Sequence, residues 1–366
     1  MTRSLVAAAV IVAALTAPAA AQACEPTPVD LGTLGGNNGQ VVAVKPWGLA
    51  TGTAQDSAGQ RRAVMWSNGA IRNLHAPPDS QALDANRAGA VVIAVGPGDM
   101  PVSYLHRNGV LSRLPGLPGF DGYTRARRIN ARGEVAGHAL DADGGLRPVI
   151  WVSGQIRDLG IPAGFVDGVA LGINDRGEVV GNLGRADGSL APFRWHRGSY
   201  TILPTLGGQS GSPFVIDNRS VAAGWADTSD GPTEAAVWDR DGAHGLGFLR
   251  DGDLSQVLGT DGAGAYAGAS NLSTGGDSFR GFAVRAGEPM VELPPLGTAT
   301  PGAFSIAHGV DRTGDAAGAS TDALGRNRPT LWRCALQTTP SLRLRVQRAA
   351  PLQASTVHAD RNANAD

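Results

Sequence analysis

Residues 129–137 read Ile-Asn-Ala-Arg-Gly-Glu-Val-Ala-Gly, and residues 173–181, which begin 44 positions later, read Ile-Asn-Asp-Arg-Gly-Glu-Val-Val-Gly. A Trp-x-x-Gly segment and then a short stretch centred on Leu follow each copy. Self-similarity at this period indicates an array of small β units, none of which can bury its apolar face alone. The repeat therefore predicts the architecture, although it does not by itself predict an activity.

Three landmarks allow the units to be counted along the chain. The Asn/Asp-to-Gly turn recurs at Asn86/Gly89, Asn130/Gly133, Asn174/Gly177, Asp261/Gly264 and Asp311/Gly314, with a degenerate copy at Asn218-Arg219-Ser220. The Gly of the Trp-x-x-Gly turn recurs as Gly69, Gly109, Gly154, Gly198, Gly242 and Gly287. The aromatic position before that turn holds Trp66, Trp151, Trp195, Trp238 and Trp332. This count gives seven units between residues 24 and 334.

Each unit has the pattern of a four-stranded meander. In the fourth unit we expect strands over Val169 to Ile173, Glu178 to Asn182, Pro192 to His196 and Tyr200 to Leu203. A four-stranded unit of 40–45 residues is typical of a propeller blade, whereas β-solenoid coils, the rival architecture, are usually shorter. The sequence therefore predicts an all-β protein, a seven-bladed β-propeller of four-stranded antiparallel blades.

The two ends of the repeat region predict how the ring closes. Residues 29–36 resemble a fourth strand without a preceding blade, and the last unit stops after its third strand at Cys334. The N-terminal strand can therefore complete the last blade, which also removes an exposed sheet edge. Cys24 and Cys334 both fall where the last blade lacks its Trp-x-x-Gly turn, so we expect them to form a disulfide. The alternative is a lipidated Cys24.

The segments outside the repeat region indicate export. Residues 1–23 read as a signal peptide, with Arg3 in the n-region, an apolar h-region from Leu5 to Leu15, and a cleavage site at Ala21-Gln22-Ala23. The h-region is too short to span a bilayer, and we expect a periplasmic or extracellular protein without a transmembrane segment. Residues 335–366 form a C-terminal tail with one possible edge strand before a polar end.

The repeat motifs resemble those of the bacterial extracellular HAF-repeat proteins. Asp30 to Gly36 matches the Asp-Leu-Gly-Thr-Leu-Gly-Gly hallmark, and Ile173 to Gly181 matches the Ile-Asn-Asp-x-Gly-x-Val-Val-Gly hallmark. The His-Ala-Phe-x-Trp hallmark is degenerate, since Ala191 to Trp195 lacks the His. The resemblance spans about residues 29–334 and implies an exported, propeller-like repeat protein, without an activity or site residues to transfer.

The residue types that could carry chemistry favour structural interpretations. The Asn-x-x-Gly segments are interpreted as hairpin turns in which Asn caps its own backbone, and the Trp positions as packing between blades. Calcium needs several oxygen ligands at close spacing, and Asp251 with Asp253 is the best candidate pair. No other cofactor is predicted, and no motif predicts catalytic residues, because the seven His residues lack metal-ligand spacing.

Binding residues are expected on the longer and more variable loops of a propeller. These loops join successive blades, on the face opposite the Asn-x-x-Gly turns. The candidates for ligand contact are Phe120, Asp121, Tyr123, Phe165, Asp167 and Arg250.

The sequence favours a monomeric, exported binding or scaffold module whose ligand is a glycan, a peptide or another protein. A module that serves only as a surface or matrix component also fits. The alternative from another class is an exported propeller enzyme, a hydrolase or lyase that acts on carbohydrate, with His, Arg and carboxylates converging at the channel mouth. Nucleic acid is excluded as a partner because the charges are scattered and sum to −1.

Overall fold

The computed structural model describes residues 25–97, 100–297 and 302–336. Within these ranges the chain forms seven four-stranded antiparallel sheets and no helix. The predicted signal peptide, Cys24 and most of the predicted tail lie outside the described residues. No helix in the described ranges is long and apolar enough to cross a membrane.

Each sheet is one blade. In blades 1 to 6 the strands follow one another in chain order from the inner to the outer edge, and in blade 7 the N-terminal strand is outermost. Blades 1 to 4 are formed as follows: β2 (Gly35–Val44), β3 (Ala50–Asp56), β4 (Arg61–Ser67) and β5 (Ala70–Asn73); β6 (Ser80–Ala85), β7 (Val91–Val95), β8 (Val102–Arg107) and β9 (Val110–Arg113); β10 (Thr124–Ile129), β11 (Val135–Leu140), β12 (Leu146–Val152) and β13 (Gln155–Asp158); β14 (Asp167–Ile173), β15 (Val179–Gly184), β16 (Leu190–His196) and β17 (Ser199–Ile202).

Blades 5 to 7 complete the ring: β18 (Gly207–Ile216), β19 (Ala222–Thr228), β20 (Thr233–Asp239) and β21 (Gly242–Gly245); β22 (Ser255–Thr260), β23 (Ala265–Asn271), β24 (Phe279–Arg285) and β25 (Val291–Leu293); β26 (Ser305–Val310), β27 (Ala316–Thr321), β28 (Asn327–Arg333) and the N-terminal β1 (Thr27–Asp30). The predicted seven-bladed propeller is therefore confirmed.

Ring closure occurs where the sequence places it, with different strand bounds. β1 pairs antiparallel with β28, and Val29 lies opposite Leu331. β1 ends at Asp30, whereas Gly35 and Gly36, which we expected in the same strand, already belong to β2. Thr27 lies opposite Arg333, so the chain just before β1 approaches Cys334. The Cys24–Cys334 disulfide stays a prediction because Cys24 lies outside the described residues.

A bulge in the innermost strand lies opposite the last Gly of the repeat motif in six of the seven blades, and in blade 2 Ile93 takes the place of that Gly. In blade 4 the register between β14 and β15 shifts between Ala170 and Gly172. At Gly181, opposite Ala170, a Cβ atom would lie 1.9 Å from the Val169 carbonyl oxygen. Only a residue without a side chain leaves room for that oxygen. The Gly of the Val-x-Gly sequence therefore indicates a bulge in the neighbouring strand.

The apolar core lies between the blades, where the Trp position supplies the largest side chains. Trp151 is 1% exposed and packs with Leu114 of the preceding blade. Its indole Nε1 donates a 2.8 Å hydrogen bond to the carbonyl oxygen of Pro115, next to Leu114. Trp238 and Trp332 make the equivalent bonds to Pro204 and Pro294. These Trp residues therefore serve inter-blade packing, as the sequence predicts, rather than ligand binding.

Candidate functional site

The main cavity of the described structure opens at one mouth of the central channel and has a volume of about 480 Å³. It is bounded by the ends of the innermost strands and by the turns that lead into the second strands. We call these seven turns the rim: residues 45–48, 86–89, 130–133, 174–177, 217–220, 261–264 and 311–314. The Asn-x-x-Gly turns of the repeat therefore surround the cavity.

Each rim turn of blades 2 to 7 is stabilised by its first side chain. In blade 3 the Asn130 Oδ1 accepts hydrogen bonds from the backbone N–H groups of Arg132 and Glu134, both at 3.0 Å. Gly133 ends the turn at a φ of +81°, in the left-handed region that glycine adopts at no steric cost. This geometry confirms that Asn caps its own backbone.

In blades 2 to 4 the same Asn side chains also connect neighbouring blades. Asn86 Nδ2 donates to the Asn130 carbonyl oxygen at 3.0 Å, Asn130 Nδ2 to that of Asn174 at 3.1 Å, and Asn174 Nδ2 to that of Asp217 at 2.9 Å. All of these atoms are buried, where an unpaired carbonyl would destabilise the fold. Blades 5 to 7 place Asp217, Asp261 and Asp311 at this position, and a carboxylate cannot donate such a bond.

Blade 1 differs from all the others, because its rim turn reads Lys45-Pro46-Trp47-Gly48. Lys45 Nζ lies 2.9 Å from Oδ1 of Asp84 in blade 2, and the Asp84 side chain is 2% exposed. Asp84 Oδ2 in turn accepts a 3.0 Å bond from the Ile129 N–H of blade 3. One buried carboxylate therefore ties three blades together beneath the rim.

The Trp47 ring is 39% exposed at the mouth and has cations around it. The Arg87 guanidinium lies 4.8 Å from the ring centroid and Lys45 Nζ lies 5.8 Å from it. The backbone N–H of Arg312 donates to the Pro46 carbonyl oxygen at 3.2 Å, which connects the rim turns of blades 7 and 1. Within the described ranges, neither Arg87 nor Arg312 has a carboxylate at ion-pair distance. Both guanidinium groups are therefore free to bind an acidic ligand.

The charges that line the cavity are separated around the ring. Blades 7, 1, 2 and 3 contribute what we call the cationic arc: Arg312, Lys45, Arg87 and Arg128. Blades 4, 5 and 6 contribute the acidic arc: Asp175, Asp217 and Asp261. Asp84 also lies within the cationic arc and pairs with Lys45, so the unpaired positive charge of this arc comes from Arg312, Arg87 and Arg128. The mouth therefore presents opposite charges on its two sides.

The carboxylates of the acidic arc differ in how strongly they are engaged. Asp217 pairs with Arg219 of its own turn at 2.9 Å, and Asp175 accepts a 2.7 Å bond from Asn218 Nδ2. Asp261 accepts bonds only from N–H groups of its own turn, those of Ala263 and Ala265. Asp261 is 4% exposed, and its carboxylate, unlike those of Asp175 and Asp217, accepts no bond from another side chain.

Arg128 and His308 lie on the innermost strands at the base of the cavity. Arg128 Nη2 reaches from blade 3 to the Leu258 carbonyl oxygen of blade 6, at 3.2 Å. Burial and the nearby Arg128 charge lower the pKa of His308 to about 4. His308 is therefore neutral at pH 7, and its buried Nδ1 has no hydrogen-bond partner.

The ligand-contact residues predicted from the sequence lie at the opposite ends of the innermost strands and are divided among three blade junctions. Asp121 pairs with Arg113 at 2.6 Å, the Arg185 guanidinium lies 5.5 Å from the Phe165 ring, and Arg250 pairs with Glu292 at 2.8 Å. The structure brings together Phe120, Asp121 and Tyr123 in one junction and Phe165 and Asp167 in another. Whether these loops bind a ligand stays a prediction.

Tyr123, one of the predicted ligand-contact residues, contacts a histidine. Its side chain is buried, and its hydroxyl lies 3.3 Å from the Nε2 atom of His138 on the neighbouring strand. Burial and the charges of Arg127 and Arg125 lower the pKa of His138 to about 3. This predicted residue thus borders a buried cationic region of the channel.

The predicted calcium pair lies in the junction between blades 5 and 6. The Asp253 carboxylate accepts a 2.6 Å bond from Asn271 Nδ2 and also bonds to the Gly275 N–H. Within the described ranges no group of three His, Cys, Asp or Glu side chains is arranged to hold a metal ion. Calcium at Asp251 and Asp253 stays a prediction.

The rim turn of blade 1 was not among the sites predicted from the sequence. Lys45-Pro46-Trp47-Gly48 precedes Asn86-Arg87-Ala88-Gly89 by 41 residues, so it occupies the turn position of the missing first copy. Lys45 is also the only lysine among 31 Lys and Arg residues. A search for what replaces Asn in each copy of the turn would have found this segment.

Comparison with known proteins supports the fold and nothing narrower. No family model and no curated protein matches the chain. A chain from a structural analysis of two prolyl endopeptidases superposes with a TM-score of 0.56 at 12% identity. The alignment covers 83% of this chain and 51% of the other. The β-propeller domain of the Trilobed protease from Pyrococcus furiosus superposes at 0.54 with 9% identity, covering 84% of this chain and 99% of the other. That propeller is described as having an open velcro topology, whereas β1 closes the ring here.

A further match is TolB from Acinetobacter baumannii, with a TM-score of 0.46 and 14% identity. The alignment covers 80% of this chain and 63% of TolB, so the chain spans less than two thirds of that protein. All three identities are too low to transfer a function.

Proposed function

We propose that the protein is an exported binding module that holds a short peptide segment of mixed charge at the rim mouth of its channel. The separation of charge between the cationic and acidic arcs carries the proposal. Arg87 and Arg312 offer guanidinium groups without an ion-pair partner in the described ranges, Asp261 of the acidic arc lines the same cavity, and Trp47 offers an aromatic surface. A peptide with an acidic group and an amine a few residues apart matches both sides at once.

Isothermal titration of the mature protein with a panel of short peptides tests this proposal. We expect peptides that carry both charges to bind, and their neutral counterparts to bind at least about tenfold more weakly, because each charge pair contributes roughly 1 kcal/mol or more. Binding should weaken as salt rises, since the rim is open to solvent.

Variants at the mouth locate the site. We expect Arg87→Gln and Trp47→Ala each to weaken binding about tenfold, because each removes one side of the recognition surface. Arg240→Gln is the matched control, since the Arg240 side chain is 92% exposed and pairs only with its neighbour Asp241. Equal affinities for all four proteins would place the peptide elsewhere and refute the proposal.

Export is part of the proposal and rests on the composition of residues 1–23. We expect mass spectrometry of the protein from its native compartment to find a mature N-terminus at Cys24. The non-reduced mature mass should be two hydrogens below the reduced mass because of the Cys24–Cys334 disulfide. An acylated Cys24 would refute the disulfide and show a membrane anchor instead.

A carbohydrate-active enzyme is the second candidate, and His308 with Arg128 is the observation that favours it. A neutral imidazole beside a guanidinium at the base of a cavity can exchange a proton with a substrate. A pKa of about 4 makes His308 a weak base at pH 7, so the arrangement favours binding over catalysis. Release of reducing ends from a panel of polysaccharides, lost in His308→Phe, would support the enzyme and refute the non-catalytic module.

A further inference from the structure

β10, the innermost strand of blade 3, reads Thr124-Arg125-Ala126-Arg127-Arg128-Ile129. The innermost strands of the other six blades contain no Arg or Lys. Three cations therefore lie within four residues on one channel-lining strand. We call Arg125, Arg127 and Arg128 the β10 arginine cluster.

The cluster lacks the partners that partly buried guanidinium groups normally have. Arg127 Nε is buried and has no hydrogen-bond partner. Arg128 reaches across the channel to a carbonyl oxygen, that of Leu258, which carries no full charge. Within the described ranges no carboxylate lies at ion-pair distance from any of the three. By contrast, Arg328, whose side chain is 12% exposed, pairs with Asp30 at 2.8 Å.

The neighbouring titratable groups do not compensate the cluster. Arg125 lies opposite His138 in the β10–β11 ladder, and His138 contacts the hydroxyl of Tyr123. His138 and His308 are both neutral at pH 7, and both have a buried Nδ1 without a partner. Burial, together with the charges of Arg125 and Arg128, lowers the pKa of Arg127 to about 10, so that it stays protonated at pH 7.

We propose that the β10 arginine cluster, in the channel beneath the rim mouth, binds an oxyanion group of the carboxylate or phosphate type. Uncompensated buried charge destabilises a fold, and an anion beside the guanidinium groups removes that cost. Planar guanidinium forks match the oxygens of such groups in a bidentate manner. A water molecule supplies no charge and leaves the cluster uncompensated.

The oxyanion has two possible sources with the same chemistry: a free inorganic anion or an acidic group at the end of the peptide bound at the mouth. Arg128 lines the mouth cavity, so a peptide carboxylate can approach it from there. The inference rests on the proposed function only for the second source. A free anion can bind the cluster even if no peptide binds at the rim, and the two proposals therefore fail separately.

Thermal unfolding of the mature protein in inorganic phosphate tests the proposal, with sodium chloride keeping the ionic strength constant. We expect a melting temperature that rises by about 2 °C or more and then saturates, because the anion binds only the folded chain. A rise that is linear in phosphate and equal in Arg127→Met would be a general salt effect and would overturn the proposal.

Variants separate the uncompensated charge from a structural role of the side chain. Without phosphate, we expect Arg127→Met to raise the melting temperature and to abolish the saturable shift, whereas Arg127→Lys keeps part of the shift. Arg328→Met is the matched control, since it removes a paired guanidinium and should lower the melting temperature while the phosphate shift remains. A lower melting temperature in Arg127→Met without phosphate would show a partnered side chain and overturn the proposal.

Competition identifies the source of the anion. A bound peptide with a free C-terminal carboxylate should reduce the phosphate shift, whereas the same peptide with a C-terminal amide should leave it unchanged. That result would assign the cluster to the peptide carboxylate. A phosphate shift that neither peptide reduces would assign it to a free oxyanion, and the absence of any saturable shift would refute both.

Discussion

The rim turns of blades 2 to 4 and those of blades 5 to 7 share the backbone hydrogen bond from the N–H of their first residue to the carbonyl oxygen four residues later, and they differ in their first side chains. Asn86, Asn130 and Asn174 each donate to the next blade, whereas Asp261 and Asp311 accept bonds only within their own turns. A side-chain oxygen caps the turn in both cases, an amide oxygen in Asn and a carboxylate oxygen in Asp, so the turn itself does not distinguish Asn from Asp. The side-chain amide adds a connection between blades, and the carboxylate adds a negative charge at the mouth.

The first position of the rim turn therefore serves two purposes in this repeat. The Asn half of the ring uses this position for stability, because its amides satisfy buried carbonyl groups of the neighbouring blade. In the Asp half, Asp217 and Asp261 lie opposite the cationic arc. We interpret the Asp half as the part of the ring in which stability is exchanged for ligand recognition.

The largest expected effect is that of Asn174→Asp. The variant loses the bond to the Asp217 carbonyl oxygen and places a carboxylate beside Glu178, which Asn174 Nδ2 contacts at 2.6 Å. We expect a loss of about 3 kcal/mol in the free energy of unfolding, since a buried carbonyl and a repelled carboxylate are both left unpaired. Urea unfolding at pH 7 measures it.

The matched control is Asn86→Asp, which removes the equivalent bond, to Asn130, without bringing two carboxylates together, because residue 90 is Ala. We expect a loss of about 1 kcal/mol. Equal losses in the two variants would show that the Glu178 contact contributes nothing.

Asp261→Asn reverses the comparison. The new amide can donate to the next blade as in the Asn half, and we expect the free energy of unfolding to rise by about 0.5–1 kcal/mol. Affinity for a mixed-charge peptide should fall, because a carboxylate of the acidic arc is lost. Urea unfolding and calorimetric titration of the same variant check both effects. Unchanged stability with unchanged affinity would contradict the division of the ring.

The smallest expected effect is the pH dependence that Glu178 contributes beside the Asn174 turn. Burial acts to raise the pKa of Glu178, but hydrogen bonds from Ser220 and Asn174 and the Arg176 charge outweigh it and lower that pKa. The stabilisation by Glu178 is therefore complete above its unfolded pKa, about 4.3, and is lost as the pH falls through the folded value. Unfolding between roughly pH 6 and pH 3 should show a steeper loss in the wild type than in Glu178→Gln. Parallel curves would refute the assignment.

The sequence predicts the architecture well because the information is periodic. The 44-residue spacing of Asn130 and Asn174, the Trp positions and the last Gly of the motif each correspond to a turn, an inter-blade contact or a bulge. These features depend on local geometry repeated in every blade. Strand bounds are less well predicted, as β1 and β2 show, because hydrogen bonding to a distant strand decides where each strand ends.

The candidate site could not be predicted in the same way, because it arises where the repeat is broken. The cavity depends on which side chains extend into the channel, and small residues such as Gly172 and Gly259 allow adjacent innermost strands to approach closely. The spacing predicts that rim residues share one level of the ring. It does not predict that Lys45, Arg87 and Arg312 line the same cavity as Asp261, which depends on how the side chains extend from their turns.

Peptide binding at the rim mouth is tested by thermal unfolding of the wild type and of the double variant Trp47→Ala/Arg87→Gln. Both proteins are unfolded in the presence of the same panel of short peptides. The account predicts that peptides with both charges raise the melting temperature of the wild type by about 2 °C or more and leave that of the double variant unchanged. Equal shifts in both proteins, or no shift with any peptide of mixed charge, would contradict the account.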